Sequence, residues 1–160
     1  MSELMVAHLI HPIDEGTQFS QWPLYLKILP WFYTQDDEAV QVELEEIAVR
    51  QEAISVAVGE QAIFGTTKKK TAQLLQLTPE LESLHTSVLD VAVRHGTLRP
   101  KDPVGEKYNP HVFKKGASIL RPGGIVTIDT MSLIGSTTED TRNGQKIIVK
   151  NYGLGHESTT

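Results

Sequence analysis

Two helix-forming segments, each with its own start signal, constrain the fold more than anything else in this chain. Thr78-Pro79-Glu80 is the firmest. A threonine can cap the free N–H groups of a first turn, and a proline at the first helical position loses no hydrogen bond there. Leu81, Leu84, Val88, Val91 and Ala92 follow as one buried stripe, and Gly96 reads as the helix stop, a residue just past the last turn. The other helix opens on Asp36, Asp37 and Glu38, acids that suit the positive end of a helix dipole. Its stripe is Val40, Leu44, Ile47 and Ala48, with Glu43, Glu45, Glu46 and Arg50 mainly off it as a solvated face.

Nearly everything outside these helices reads as short strands between turns. Residues 4–10 are an apolar run stopped at His11-Pro12, and residues 12–22 are loop. Residues 24–29 form a strand closed by Pro30. Residues 54–58 alternate as a half-buried strand, Gly59 interrupts it, and residues 62–65 read as an apolar turn. Residues 71–77 and a short strand at His111 come next, with a loop at 97–107 between them. Residues 125–134 read as one long strand. Arg142-Asn143-Gly144 is the best hairpin signal, and residues 146–152 are its return strand. The order is β-β-α-β-β-α-β-β-β, and hairpins dominate it. That argues α+β with antiparallel sheets and helices on the outer faces.

At 160 residues the chain is most simply one domain, expected over 1–153, with 154–160 as a flexible polar tail that includes His156. It holds no cysteine, so disulfides, thiolate metal sites and cysteine nucleophiles are excluded. That fits a reducing cytoplasm, and with no signal-like leader or spanning apolar run, a cytoplasmic location off the membrane is expected. The formal net charge of -5 gives no global attraction to nucleic acid, so phosphate binding would need a local site. Lys68, Lys69 and Lys70 are a cationic hairpin tip or strand edge that could also hold a polyanion. His8 and His11 lie on opposite faces of a strand, which argues against a shared metal, and His85 reads as a satisfied core or rim histidine.

Chemistry gathers on two strands. In Tyr108-Asn109-Pro110-His111-Val112-Phe113-Lys114-Lys115, strand alternation puts His111, Phe113 and Lys115 on one face. In Trp22-Pro23-Leu24-Tyr25-Leu26-Lys27-Ile28-Leu29-Pro30-Trp31-Phe32 it groups Tyr25, Lys27 and Leu29. Each strand thus offers an imidazole, hydroxyl or cation to a possible common groove.

The order and spacing of these pieces, with Ile63-Phe64-Gly65, Leu84-His85 and the closing hairpin, resemble the 2H phosphoesterase superfamily, specifically its short 2′-5′ RNA ligase-like (LigT-like) proteins. The resemblance covers nearly the whole chain. It implies a bilobed α+β fold with two antiparallel sheets lining a central groove. In that family each lobe supplies one His-x-Thr/Ser motif, and the two imidazoles act as general acid and base on a phosphodiester without a metal or cofactor. Here the first motif has Tyr25 for histidine and Lys27 for Thr/Ser, and the second keeps His111 but has Phe113 for Thr/Ser.

The resemblance therefore implies His111 and Tyr25 as the catalytic candidates and Lys27, Phe113, Tyr108 and Lys115 as ligand contacts. The expected partner is a phosphorylated small molecule or an RNA end, bound by a monomer. Three functions stay open: a catalytically degenerate binding protein, a phosphodiesterase using His111 with Tyr25 and Lys27, and a non-catalytic protein-interaction module.

Overall fold

The computed structural model describes residues 2–65, 70–113, 120–136 and 145–155. In chain order these form β1 (Ser2–Leu9), β2 (Gln18–Phe19), β3 (Tyr25–Thr34), α1 (Asp37–Arg50), β4 (Ile54–Phe64), β5 (Lys70–Leu75), α2 (Pro79–His95), β6 (Gly96–Leu98), β7 (His111–Phe113), β8 (Ile125–Ile128), β9 (Thr130–Ser136) and β10 (Lys146–Gly153). A six-stranded sheet runs β2-β10-β9-β1-β3-β6, and a four-stranded sheet runs β7-β5-β4-β8. Their pairings are antiparallel, as the hairpin-rich sequence requires.

The helices start where the sequence places them. The Asp36 side chain accepts from the Ala39 amide at 3.1 Å, and the Thr78 hydroxyl accepts from the Leu81 amide at 3.1 Å. Val40, Leu44 and Ala48 of α1 and all five expected stripe residues of α2 are buried. They join both sheets in one core with Leu26, Ile28, Phe32, Val56, Val112 and Leu133. A second, smaller cluster lies on the opposite face of the six-stranded sheet, where Met5, Ala7, Leu9, Trp31, Ile134 and Ile148 are covered by Ile13, Phe19, Trp22 and Tyr25.

Several boundaries differ from expectation, each for a local reason. Pro30 does not close its strand: β3 runs on to Thr34. Between the Leu29↔Val6 and Phe32↔Leu4 pairs β3 has one more residue than β1, so a bulge accommodates the proline that cannot donate to the ladder. Gly59 likewise sits in a bulge rather than ending β4, and residues 62–64, expected as a turn, continue that strand. The expected strand at 125–134 divides at Asp129: β8 pairs with β4 in one sheet and β9 with β1 and β10 in the other.

Gly96 ends α2 in an extended conformation, φ -163°, and begins β6. Its lack of a side chain is required by space, because a Cβ there would lie 2.1 Å from the Tyr33 carbonyl oxygen. Two residues assigned to the tail are held in place. Leu154 is buried, its N–H donates to Asp129, and the Gly155 N–H donates to the Ala48 carbonyl at the end of α1. Lys68, Lys69, Lys115, the Arg142-Asn143-Gly144 turn and His156 lie outside the described residues. Among the described residues no helix is long and apolar enough to cross a membrane.

Candidate functional site

Alternation along two strands builds the site. On β3, Leu26 and Ile28 enter the main core, so Tyr25 and Lys27 take the other face. On β7, Val112 enters the core and leaves His111 and Phe113 on the other face. β7 packs against β3 where the two sheets meet. The positive charge of Lys27 reaches His111 across that junction. Lys27 and His111 thus sit on packed strands, one from each sheet.

Aromatic rings surround His111. Phe64 stacks on the imidazole at 4.6 Å and 25°, and Phe113 meets it edge-on at 4.8 Å and 81°. The Lys70 ammonium lies 5.6 Å from the centre of the Phe113 ring. The His111 Nδ1–H donates to the Asn109 carbonyl at 2.7 Å, which leaves Nε2 as the basic nitrogen. Burial pushes the pKa of His111 below the ordinary value, the carbonyl bond opposes this, and Lys27 adds to the lowering. At neutral pH His111 is therefore an uncharged base. Phe64 is a site residue that the sequence reading missed, because residues 62–65 look like a turn.

A buried scaffold holds Lys27. Its carbonyl accepts from the Tyr108 hydroxyl at 2.8 Å. The Tyr108 ring lies flat on His85, 3.9 Å and 5° apart. His85, expected as a core or rim histidine, is fully buried. Its Nδ1–H donates to the Ile28 carbonyl at 2.7 Å, and its Nε2 accepts from the Gly105 amide at 2.9 Å. Tyr108, expected as a ligand contact, is itself buried with its hydroxyl proton committed to the backbone, so the structure places it as a strut beneath β3. Burial lowers the Lys27 pKa and the Asp102 carboxylate opposes that shift.

Tyr25 is placed differently. Its ring packs on Trp22 at 4.8 Å, and Trp22 in turn contacts Phe19 and Trp31 edge-on. Arg99 caps this aromatic row, over Trp31 at 5.9 Å and ion-paired with Glu3. Burial raises the Tyr25 pKa, so the phenol keeps its proton at neutral pH and is a weaker acid than an exposed tyrosine. Among the described residues, Lys27 is the charged group whose field bears on His111.

His8 stands apart from this site, with Nδ1 bonded to the Thr130 carbonyl at 2.9 Å, and His11 is exposed. Among the described residues no three His, Asp or Glu side chains come close enough together to hold a metal ion. Chemically, the groove offers an ammonium, one neutral imidazole and apolar ring surfaces. That set suits an anion attached to a flat group.

No protein-family model matches this chain, and no curated protein matches it significantly. Solved structures do. A protein described as a phosphoesterase superposes with a TM-score of 0.64 at 15% identity, over 97% of this chain and 99% of its own. Escherichia coli LigT in complex with 3′-AMP gives a TM-score of 0.62 at 15% identity, over 97% of this chain and 99% of LigT. TT0787 of Thermus thermophilus gives 0.63 at 13% identity with the same coverage. These likenesses span both sheets and both helices end to end, and the chain accordingly has the bilobed α+β fold of LigT, two antiparallel sheets with a groove between them.

Proposed function

We propose that this chain is a 2H phosphoesterase superfamily protein with a degenerate catalytic groove, and that it binds the phosphate of an RNA end or cyclic nucleotide with little or no turnover. The observation that carries this reading is the packing of β7 against β3, which sets Lys27 and His111 on adjoining strands of the two sheets, with Phe64 and Phe113 against the imidazole. Lys27 supplies the fixed charge for a phosphate oxygen, as a point cation with three donors. Protonated Nε2 of His111 would supply a second donor once the anion is bound. The rings of Phe64 and Phe113 offer apolar surface to a sugar or base.

Support also comes from the fold. LigT, which shares it, has been crystallised with 3′-AMP, with ATP and with phosphate. Turnover is expected to be weak for a physical reason. A phosphodiester cleaved by acid–base catalysis needs one group to take a proton and another to give one. His111 can take one, but the phenol of Tyr25, packed on Trp22 with its pKa raised by burial, is a poor proton donor. Losing one member of such a pair typically costs about 10²–10⁴-fold in rate.

The test is calorimetric titration of 2′,3′-cyclic AMP and 3′-AMP, with product analysis on the same samples. Saturable heat without hydrolysis is the expected result. The absence of heat with both nucleotides would overturn the reading. Hydrolysis lost in His111→Ala would replace it with the phosphodiesterase alternative, in which His111 works with Tyr25 or Lys27.

A further inference from the structure

We propose that Tyr108 is a positioning residue of this groove: the segment Tyr108–His111 is hydrogen-bonded to both sheets at once, and the bond from the Tyr108 hydroxyl to β3 fixes where the His111 imidazole stands against the strand that carries Lys27. For its ligand the inference rests on the nucleotide-binding reading above.

Each end of the segment has its own anchor. At one end the Tyr108 hydroxyl donates to the Lys27 carbonyl of β3 at 2.8 Å. At the other end the Pro110 carbonyl accepts from the Leu75 amide of β5 at 3.0 Å, and His111 pairs with Leu74 of β5. Between them the Asn109 carbonyl takes the Nδ1–H of His111 at 2.7 Å, which sets the direction of the ring. β3 belongs to the six-stranded sheet and β5 to the four-stranded one. The same short segment thus joins the two sheets and orients the imidazole.

The segment is stiff. Pro110 fixes its own φ and biases Asn109 toward extended backbone. Tyr108 is itself extended, φ -63° and ψ 123°, directly after the short 3-10 helix Gly105–Lys107. Its ring is buried and lies flat on the fully buried His85, which blocks its rotation. His85 bonds the next carbonyl of β3, that of Ile28, and takes the Gly105 amide on its other nitrogen. β6 pairs with β3 only from Phe32 to Thr34, so Tyr108 and His85 extend the hold on β3 back to positions 27 and 28.

Such a tie acts on the site through geometry. Without the hydroxyl the Lys27 carbonyl loses this donor, and a carbonyl away from water is costly to leave unpaired. β3 or the segment must then shift to find another partner. The shift is passed to His111, whose ring stands in a tight frame, with Phe64 stacked at 4.6 Å and Phe113 edge-on at 4.8 Å. A ligand site needs its groups held to within about 0.5 Å by the residues behind them.

The experiment compares wild type, Tyr108→Phe and Tyr152→Phe. Tyr108→Phe keeps the ring and its stack on His85 and removes only the bond to β3. Tyr152→Phe is the control: this phenol is also buried, and its hydroxyl bonds the Gln41 carbonyl of α1 on the helix side of the core. Affinity for 2′,3′-cyclic AMP is measured by calorimetry, the His111 ring resonances by NMR without nucleotide, and stability by urea midpoint. Tyr108→Phe is expected to weaken the cyclic nucleotide about tenfold, the lower end of what loss of an outer supporting partner costs a ligand site, and to shift the His111 resonances. Tyr152→Phe should lower the urea midpoint yet leave affinity and the His111 resonances at their wild-type values. Unmoved His111 resonances in Tyr108→Phe overturn the positioning role, and so does an equal loss of affinity in both variants, which marks a general effect of stability. If wild type gives no heat with the nucleotide, the nucleotide reading falls, and the positioning of His111 by Tyr108 is then decided by the resonances alone.

Discussion

The charge of Lys27 bears on the ionisation of His111, and single substitutions should expose that. Lys27→Met keeps most of the side-chain volume and removes the charge. The His111 pKa should then rise toward the ordinary histidine value, since Lys27 is one of the two causes holding it down. Affinity for 2′,3′-cyclic AMP should fall about tenfold or more, the scale of a charge-assisted hydrogen bond worth about 1.5–3 kcal/mol. NMR titration and calorimetry check the two halves, and a His111 midpoint that stays put would contradict the placement of Lys27.

Which side chains share a strand face was readable from alternation: Lys27 and Tyr25 share one, as do His111 and Phe113. What alternation cannot carry is the identity of neighbours from other elements. Tyr25 packs on Trp22 because a loop folds back over the sheet, and Asp102 belongs to a loop that has no period to read. Phe64 was hidden because a bulge at Gly59 looks, in sequence, like the end of a strand.

Elements show the same division between local and non-local causes. Both helices were legible from their caps and stripes, since those signals lie within a few residues. Pro30 was misleading because its missing N–H matters only relative to its partner strand, where a bulge removes the need for it. The run 125–134 reads as one strand rich in β-branched residues, yet its apolar positions change phase across Asp129-Thr130, from Val126 and Ile128 to Met131 and Leu133, where the chain steps from one sheet to the other.

Gly96 was identified as a helix end, but the reason lies in β3. Gly96→Ala would drive a methyl into the Tyr33 carbonyl, and backbone cannot move aside as a flexible side chain can. A loss of about 1–3 kcal/mol is expected, the usual cost of overpacking, read as a lower urea midpoint with an unchanged slope. A midpoint equal to wild type would show that β6 does not hold Gly96 against Tyr33.

For the whole molecule, three partly or fully buried histidines link folding to pH. His8, His85 and His111 all have pKa values lowered by burial. The unfolded chain, with histidines near 6.5, therefore takes up protons first as pH falls. Stability is full above about 6.5 and drains as pH drops below it toward the folded values. Glu43 works in a lower window. Burial opposes its charge, but bonds from Arg94 and His95 outweigh that and lower its pKa, so its contribution is lost only as pH falls below the ordinary carboxylate value. Urea midpoints at pH 7.5 and 5.5 should thus differ, with the lower pH less stable. In His85→Leu the difference should shrink, and overall stability should fall by about 1–3 kcal/mol because the Gly105 amide and Ile28 carbonyl lose a buried partner. A protein equally stable at both pH values would contradict the burial of neutral histidines.

The most direct test of a groove that binds without efficient chemistry is titration of 2′,3′-cyclic AMP into wild type and His111→Ala in a calorimeter, with the nucleotide recovered afterwards. Saturable heat from wild type, heat reduced or lost in the variant, and intact cyclic nucleotide in both is the predicted result. No heat from wild type, or cyclic phosphate opened by wild type and left intact by His111→Ala, would contradict it.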